Sequence, residues 1–308
     1  NIEESTFSGC SGLTGDLIIP DQVTSIGKSA FRSCSKLTGN LILPSSLKTI
    51  GNDAFFQCKF TGDLIIPEGV TTIGSQAFIL CKEFNGRLSI AKSVTSIGSG
   101  AFSGVSNVIG DLIIPERITI IESQTFSSIG CNGILTLPSE LVSIGSFAFQ
   151  STQFNCQLNL PTTLKSINKS AFAKSNFHGD LIIPDKLEII GNKAFMNCSK
   201  FANNLEIPFS LITLGEASFQ GCTGFNGSLT IGPLISSLPE DAFEATNFKS
   251  VHYVGTKNIE NCYSVGGINP EIVFVPSNYE GESFCGKKVD KSKSPAPTIV
   301  DTAPTMED

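Results

Sequence analysis

A repeat solenoid is the fold class this sequence predicts, and three observations predict it. The stretch LTGDLIIPDQVTSIGKSAF (Leu13 to Phe31) returns as LTGNLILPSSLKTIGNDAF (Leu37 to Phe55), FTGDLIIPEGVTTIGSQAF (Phe60 to Phe78) and FHGDLIIPDKLEIIGNKAF (Phe177 to Phe195). Its closing phenylalanine falls at Phe7, Phe31, Phe55, Phe78, Phe102, Phe126, Phe149, Phe172, Phe195, Phe219 and Phe243, always 23 or 24 residues apart. The step from the proline column (Pro20, Pro44, Pro67, Pro115, Pro138, Pro161, Pro184, Pro208) to the next of these phenylalanines is always 11 residues. The constant 11 is the packed part of each coil, and the slack after the Phe is a surface turn where an extra residue costs little. Periods of this size build stacked coils in which each repeat is completed by its neighbours.

Each element of the coil has its own signature. In L-x-I-P the apolar residues alternate (Leu17 and Ile19, Leu41 and Leu43, Leu64 and Ile66), the period of a short strand with one buried face. The proline ends it, having no N–H for a ladder. One such strand per coil predicts a long parallel sheet with strands about 4.8 Å apart. The pair V-x-x-I (Val23 and Ile26, Leu47 and Ile50, Val70 and Ile73, Val94 and Ile97) predicts a second, less regular extended side. The glycines after it, such as Gly27, Gly51 and Gly74, are expected to turn the chain at positive φ. S-A-F is expected to form a turn of helix, giving short helical or irregular turns between strands. A further glycine column (Gly15, Gly39, Gly62, Gly86, Gly110, Gly133, Gly179, Gly227) implies a backbone shape that a Cβ would obstruct. No G-x-x-x-x-G-K-[ST] occurs, so these glycines are geometry, not a phosphate cradle.

Residues 1–254 read as the array of about ten repeats, and 255–285 as a C-terminal cap over the open sheet edge. Within and beside that cap, FKSVHYVG (Phe248 to Gly255) and EIVFVP (Glu271 to Pro276) read as two last irregular rungs. Residues 286–308 are polar, proline-containing and aperiodic, expected to be a disordered linker or stalk. The chain opens with Ile2 in the Ile column of a repeat already under way, which reads as a mature form or a fragment. An uncapped first rung would leave an edge open to self-association.

A net charge of −7 and a pI near 5.0 across 308 residues, with no dense Lys/Arg run, argue against nucleic acid as partner. No apolar run is long enough to span a bilayer.

The columns L-x-I-P-x-x-V-T-x-I-G-x-x-A-F-x-x-C resemble the BspA-like, or Treponema pallidum type, leucine-rich repeats. The resemblance covers residues 1 to about 254 and recurs in repeat after repeat. It implies a leucine-rich-repeat array, a place on the cell surface or outside the cell, and adhesion to host, extracellular-matrix or microbial surface proteins. Such arrays occur in anaerobic bacteria and in mucosal protozoa such as trichomonads, where a stalk and a membrane anchor often follow. The L-T-G-D before the strand departs from the L-T-S-V common in that family.

Two histidines in the whole chain, His178 and His252, lie in no metal-ligand spacing, and no serine nucleophile finds a base with an orienting acid. The reading is therefore non-enzymatic, without catalytic residue, cofactor or metal. Calcium between Asp16, Asn40 and Asp63 is disfavoured, because carboxylates on a flat ladder lack a wrapping loop. The outward strand position runs Ile18, Ile42, Ile65, Ser89, Ile113, Thr136, Asn159, Ile182. Beside it runs Asp16, Asn40, Asp63, Arg87, Asp111, Ile134, Gln157, Asp180. An apolar stripe rimmed by acids suits a protein partner; strand propensity and solubility explain the same residues without one. Cys10, Cys34, Cys58, Cys81, Cys198 and Cys222 each follow a column Phe by three and read as buried free thiols, as do Cys131 and Cys156. Cys262 and Cys285 bracket the cap and are expected to form a disulfide, which belongs to an oxidising compartment. Asn168, Asn197 and Asn226 stand in N-glycosylation sequons. The alternative to a surface adhesin is an intracellular repeat scaffold for protein–protein interaction, favoured if all ten cysteines are reduced.

Overall fold

The computed structural model describes residues 1–292 except Asn261 and Tyr263. The linker expected after Gly286 falls largely on residues 293–308, outside the described residues. The chain winds into a parallel β-solenoid, with no helix among the described residues.

Over the first six coils the more continuous of the two strand sides is the one expected to be irregular. On the V-x-x-I side, Ser25–Ile26, Thr49–Ile50, Thr72–Ile73 and Ser96–Ile97 form one four-stranded parallel sheet. Ile120–Ile121, Ser143–Ile144, Ser166–Ile167, Ile189–Ile190 and Thr213–Leu214 form a five-stranded one. The register is strict, Ile26 opposite Ile50, Ile50 opposite Ile73, Ile73 opposite Ile97, and these isoleucines are buried.

The L-x-I side carries the expected long sheet only from Gly179–Asp180 onward, through Phe201–Glu206 and Phe225–Ile231 into a seven-stranded sheet; over the first six coils it is split into pairs. Leu17–Ile18 pairs with Leu41–Ile42, Leu64–Ile66 with Leu88–Ile90, and Leu112–Ile113 with Leu135–Thr136. The glycine column explains the split. Gly15, Gly62 and Gly110 take left-handed φ of 78°, 75° and 84°, whereas Gly39, Gly86 and Gly133 do not. In the first set the next residue is an aspartate whose Oδ1 accepts the amide of the following coil: Asn40 on Asp16, Arg87 on Asp63, Ile134 on Asp111, each at 2.7 Å. That carboxylate occupies the space a side chain at Gly39 would need, an added Cβ falling 2.1 Å from Asp16 Oδ1. Two kinds of coil therefore alternate over the first six; the L-x-I strands are bonded within a pair, while between pairs the coils are joined at the glycine column, Thr61 N–H to the Gly39 carbonyl at 2.9 Å and Ile109 N–H to the Gly86 carbonyl at 2.8 Å.

A second correction concerns the glycines after V-x-x-I. Gly27 is absent from the residues of positive φ; it is glycine because an added Cβ would lie 2.7 Å from the Glu3 carbonyl carbon of the preceding coil. The left-handed residues come two positions later and are mostly not glycine: Ser29, Asp53, Gln76, Gln124, Phe147, Ser170, Lys193 and Ala217, with φ from 51° to 61°. They also replace the expected turn of helix. Around this corner alternate amides point to the next coil (Ser29 to Asn52, Phe31 to Ala54, Ser33 to Phe56), and the ones between close tight turns (Ala30 to Gly27, Arg32 to Ser29). A helix would turn all amides onto its own carbonyls and leave the stack without these bonds.

The interior is a column of phenylalanines. Rings from Phe7 to Phe243 stack nearly parallel, as Phe78 on Phe102 at 5.5 Å and 3° and Phe102 on Phe126 at 5.6 Å and 3°. A second column (Phe154, Phe177, Phe201, Phe225) meets the first edge-on, Phe172 against Phe177 at 81°, a geometry that matches ring edges to ring faces.

After Phe243 the rungs continue. Ser250–Tyr253 and Ile272–Phe274 pair parallel, Val251 on Leu229 and Val273 on Val251. The cap runs past the boundary expected at residue 285. Lys287–Asp290 pairs parallel with Ile272–Phe274 and antiparallel with Ser283–Phe284, so a hairpin closes the edge.

Candidate functional site

The outward position of the L-x-I side is exposed wherever it is isoleucine: Ile18, Ile42, Ile65, Ile113 and Ile182 keep between 47% and 68% of their surface in water. Their backbone neighbours Leu17, Ile19, Leu41, Leu64 and Ile66 turn inward. Ile134, counted beside this stripe from sequence, and Ile109 are also exposed and widen it.

The acidic rim does a second job. Asp16, Asp63 and Asp111 are exposed yet each holds the amide of the next coil, and Asp180 Oδ1 accepts from Asn203 Nδ2 at 2.7 Å. Asn40 reaches Asp16 Oδ1 at 3.4 Å, and exposed Arg87 is tied through its backbone only. Their carboxylates are thus fixed in place on the surface.

One apolar patch escaped the sequence reading. Ile120, Val142, Ile189, Ile212, Phe209 and Leu234 are exposed around the V-x-x-I side of the later coils. The signal was available: Ile120 and Ile189 replace the serine or threonine that precedes the buried Ile elsewhere.

The thiol column is buried and free, Cys10 being partly exposed. Cys34, Cys58, Cys81, Cys198 and Cys222 each donate S–H to a phenylalanine carbonyl of the preceding coil at 2.9–3.1 Å. Ser175 takes the same place and donates to the Phe149 carbonyl at 2.8 Å, whereas Val105 and Ile129 fill it as buried apolar residues, so the column accepts either a small donor or an aliphatic side chain. The contact with Cys34, together with burial, pushes the Cys58 thiol up; burial pushes Cys81, Cys131 and Cys198 up to about 12. Such thiols are poor nucleophiles and poor metal ligands. Among the described residues no group of three or more His, Cys, Asp or Glu is placed to hold a metal.

Cys262 and Cys285 are joined, with Cα atoms 4.7 Å apart. Asn197 and Asn226 are exposed, while Asn168 Nδ2 donates to the Ile144 carbonyl at 2.9 Å.

Ser250 Oγ lies 3.1 Å from His252 Nε2. The ring is stacked on Phe274 at 4.9 Å, and its Nδ1 is buried with no partner among the described residues. Burial lowers its pKa. A serine–histidine pair without an acid on Nδ1 lacks the group that would orient the base. His178, expected in a turn, is exposed on irregular backbone directly before the Gly179–Asp180 strand.

Against known proteins, a family model described as BspA type leucine rich repeat region matches residues 1–132, 86–202 and 200–269. A leucine-rich repeat protein from Bacteroides ovatus has the same fold, with a TM-score of 0.62 at 23% identity over 94% of this chain and 87% of that one. The pneumococcal vaccine antigen PcpA aligns with a TM-score of 0.53 at 18% identity over 91% of this chain and 79% of that one. No curated protein matches in sequence. With the family model spanning nearly the whole solenoid, this chain belongs to the BspA-type leucine-rich-repeat family.

Proposed function

We propose that the chain is the binding part of a non-enzymatic cell-surface adhesin or receptor, with its L-x-I face laid against a host, extracellular-matrix or microbial surface protein. The observation that carries this is the exposed run Ile18, Ile42 and Ile65, three isoleucines on consecutive coils of a rigid stack. Isolated exposed apolar residues are ordinary, but a contiguous row rimmed by fixed charges is a binding surface in form. Family membership supports a protein-binding role of the surface type, and the leucine-rich-repeat solenoid is typically non-enzymatic.

The Cys262–Cys285 link supports an oxidising, extracellular setting, where such bonds persist. Two measurements test the proposal. Intact mass of natively produced protein after alkylation, with and without reduction, should find Cys262 and Cys285 protected, with glycan mass on Asn197 or Asn226 in a eukaryotic secretory host. Ten alkylated thiols and no added mass would support the intracellular scaffold instead. The folded chain should also bind epithelial cell layers or immobilised matrix proteins saturably; no binding to any of them contradicts adhesion.

A further inference from the structure

The first five coils carry a second period, twice the first. GDLIIPD at Gly15–Asp21 returns as GDLIIPE at Gly62–Glu68 and again at Gly110–Glu116, 47 and then 48 residues on. The coils between read GNLILPS (Gly39–Ser45) and GRLSIAK (Gly86–Lys92). Every second coil therefore presents an exposed isoleucine between two exposed acids: Asp16, Ile18, Asp21; Asp63, Ile65, Glu68; Asp111, Ile113, Glu116. Among the first six coils the backbone keeps the same period, because there only these coils have the left-handed glycine and the aspartate that accepts the next coil's backbone amide. Arg87 and Lys92, both exposed, sit on the coil between the second and third of these triads.

We propose that this two-coil lattice docks a polyproline-II segment of the partner that carries Lys or Arg at every third position. The inference rests on the protein-binding reading above and names the kind of partner. Coils about 4.8 Å apart place equivalent acids about 9.6 Å apart. A polyproline-II chain rises about 3.1 Å per residue with three residues per turn, so the same side of it returns every 9.3 Å or so. The other regular conformations fit worse. A strand returns a side chain to one face every 6.6–6.8 Å or so, and two turns of α-helix take about 10.8 Å. In the polyproline-II register each cation meets a triad, and the two residues between cations lie over the outward positions of the intervening coils, Ile42 and Ser89. Arg87 and Lys92 repel a cation placed halfway between triads, which discriminates against a chain of closely spaced charges.

The test uses the whole chain and two labelled peptides of equal composition: six Pro-Pro-Lys triplets in tandem, and the same residues with the lysines gathered at the two ends. Fluorescence anisotropy at about 50 mM salt should give at least a tenfold lower Kd for the triplet peptide, a contrast that shrinks as salt screens the pairs. The D21N/E68Q/E116Q variant should lose that preference. Asp21 and Glu68 hold no hydrogen bond between coils, and the melting curve of the variant reports whether loss of the Glu116 bond to Ser139 matters to folding. Equal affinity for the two peptides, or a preference that survives in the variant, overturns the inference. Binding to cell layers without any dependence on lysine spacing would overturn it and leave the adhesion reading standing.

Discussion

The two strand sides of one coil are built from equally short apolar signatures and end up different. On the V-x-x-I side every coil repeats the last, Ile26, Ile50, Ile73 and Ile97 lying buried and in register beneath outward serines and threonines. On the L-x-I side the first six coils come in pairs, the strands joining into one sheet only from Gly179–Asp180 onward, and the outward residue varies from Ile18 to Ser89 to Asn159. The continuous side, with the phenylalanine stack beside it, holds the array together. The paired side leaves its outward positions free of that work and can carry specificity.

The largest effect that can sharpen this contrast comes from the shared interior. Phe102→Ala removes a fully buried ring stacked on both neighbours. It should cost about 3–5 kcal/mol, read as a fall in the denaturant midpoint; a cost near that of a surface change would mean the stack is not what couples the coils.

Next come the two kinds of glycine. Gly39→Ala must displace Asp16 and its backbone and should cost about 2–4 kcal/mol. Gly15→Ala meets nothing within 4 Å and incurs only the left-handed penalty, about 1 kcal/mol. Equal costs from chemical denaturation would remove the alternation from the account.

The buried thiols give a pH signature. Folded pKa values near 12 against an ordinary 9.0 at Cys81, Cys131 and Cys198 mean that stability is complete below pH 9 and lost as pH rises toward 12. The slope is about 1.4 kcal/mol per pH unit for each thiol. C198S should reduce it by one thiol's share while keeping a donor for the Phe172 carbonyl, as Ser175 does for Phe149.

The smallest expected effect is a gain. Lys193 sits at φ 60°, so Lys193→Gly should stabilise by about 0.5–1 kcal/mol.

Most of the fold was legible in the sequence because a solenoid writes its structure column by column. Period, packed segment, phenylalanine corner and thiol column could all be read by aligning the chain with itself. The alternation was written in the letter after the glycine, Asp16, Asp63 and Asp111 against Asn40 and Arg87, but its structural consequence was not: Gly15 and Gly39 differ in φ because the carboxylate of Asp16 reaches across to the next coil. The corner was misread because Ser29, Asp53 and Gln76 carry no sign of positive φ; inter-coil amide bonds impose it. Of the candidate face, the isoleucines were legible as outward positions, whereas the structural use of Asp16, Asp63 and Asp111 needed coordinates.

The most direct test of the division between holding side and binding side is one binding measurement on two variants. I18S/I42S/I65S alters the paired side, and I120S/I189S/I212S alters exposed residues of the continuous side. Titrated onto epithelial cell layers, with circular dichroism to confirm folding, the first should weaken binding at least tenfold and the second should change it less than twofold. Intact binding by the first variant, or loss in the second alone, would contradict the assignment of the L-x-I side as the surface that meets the partner.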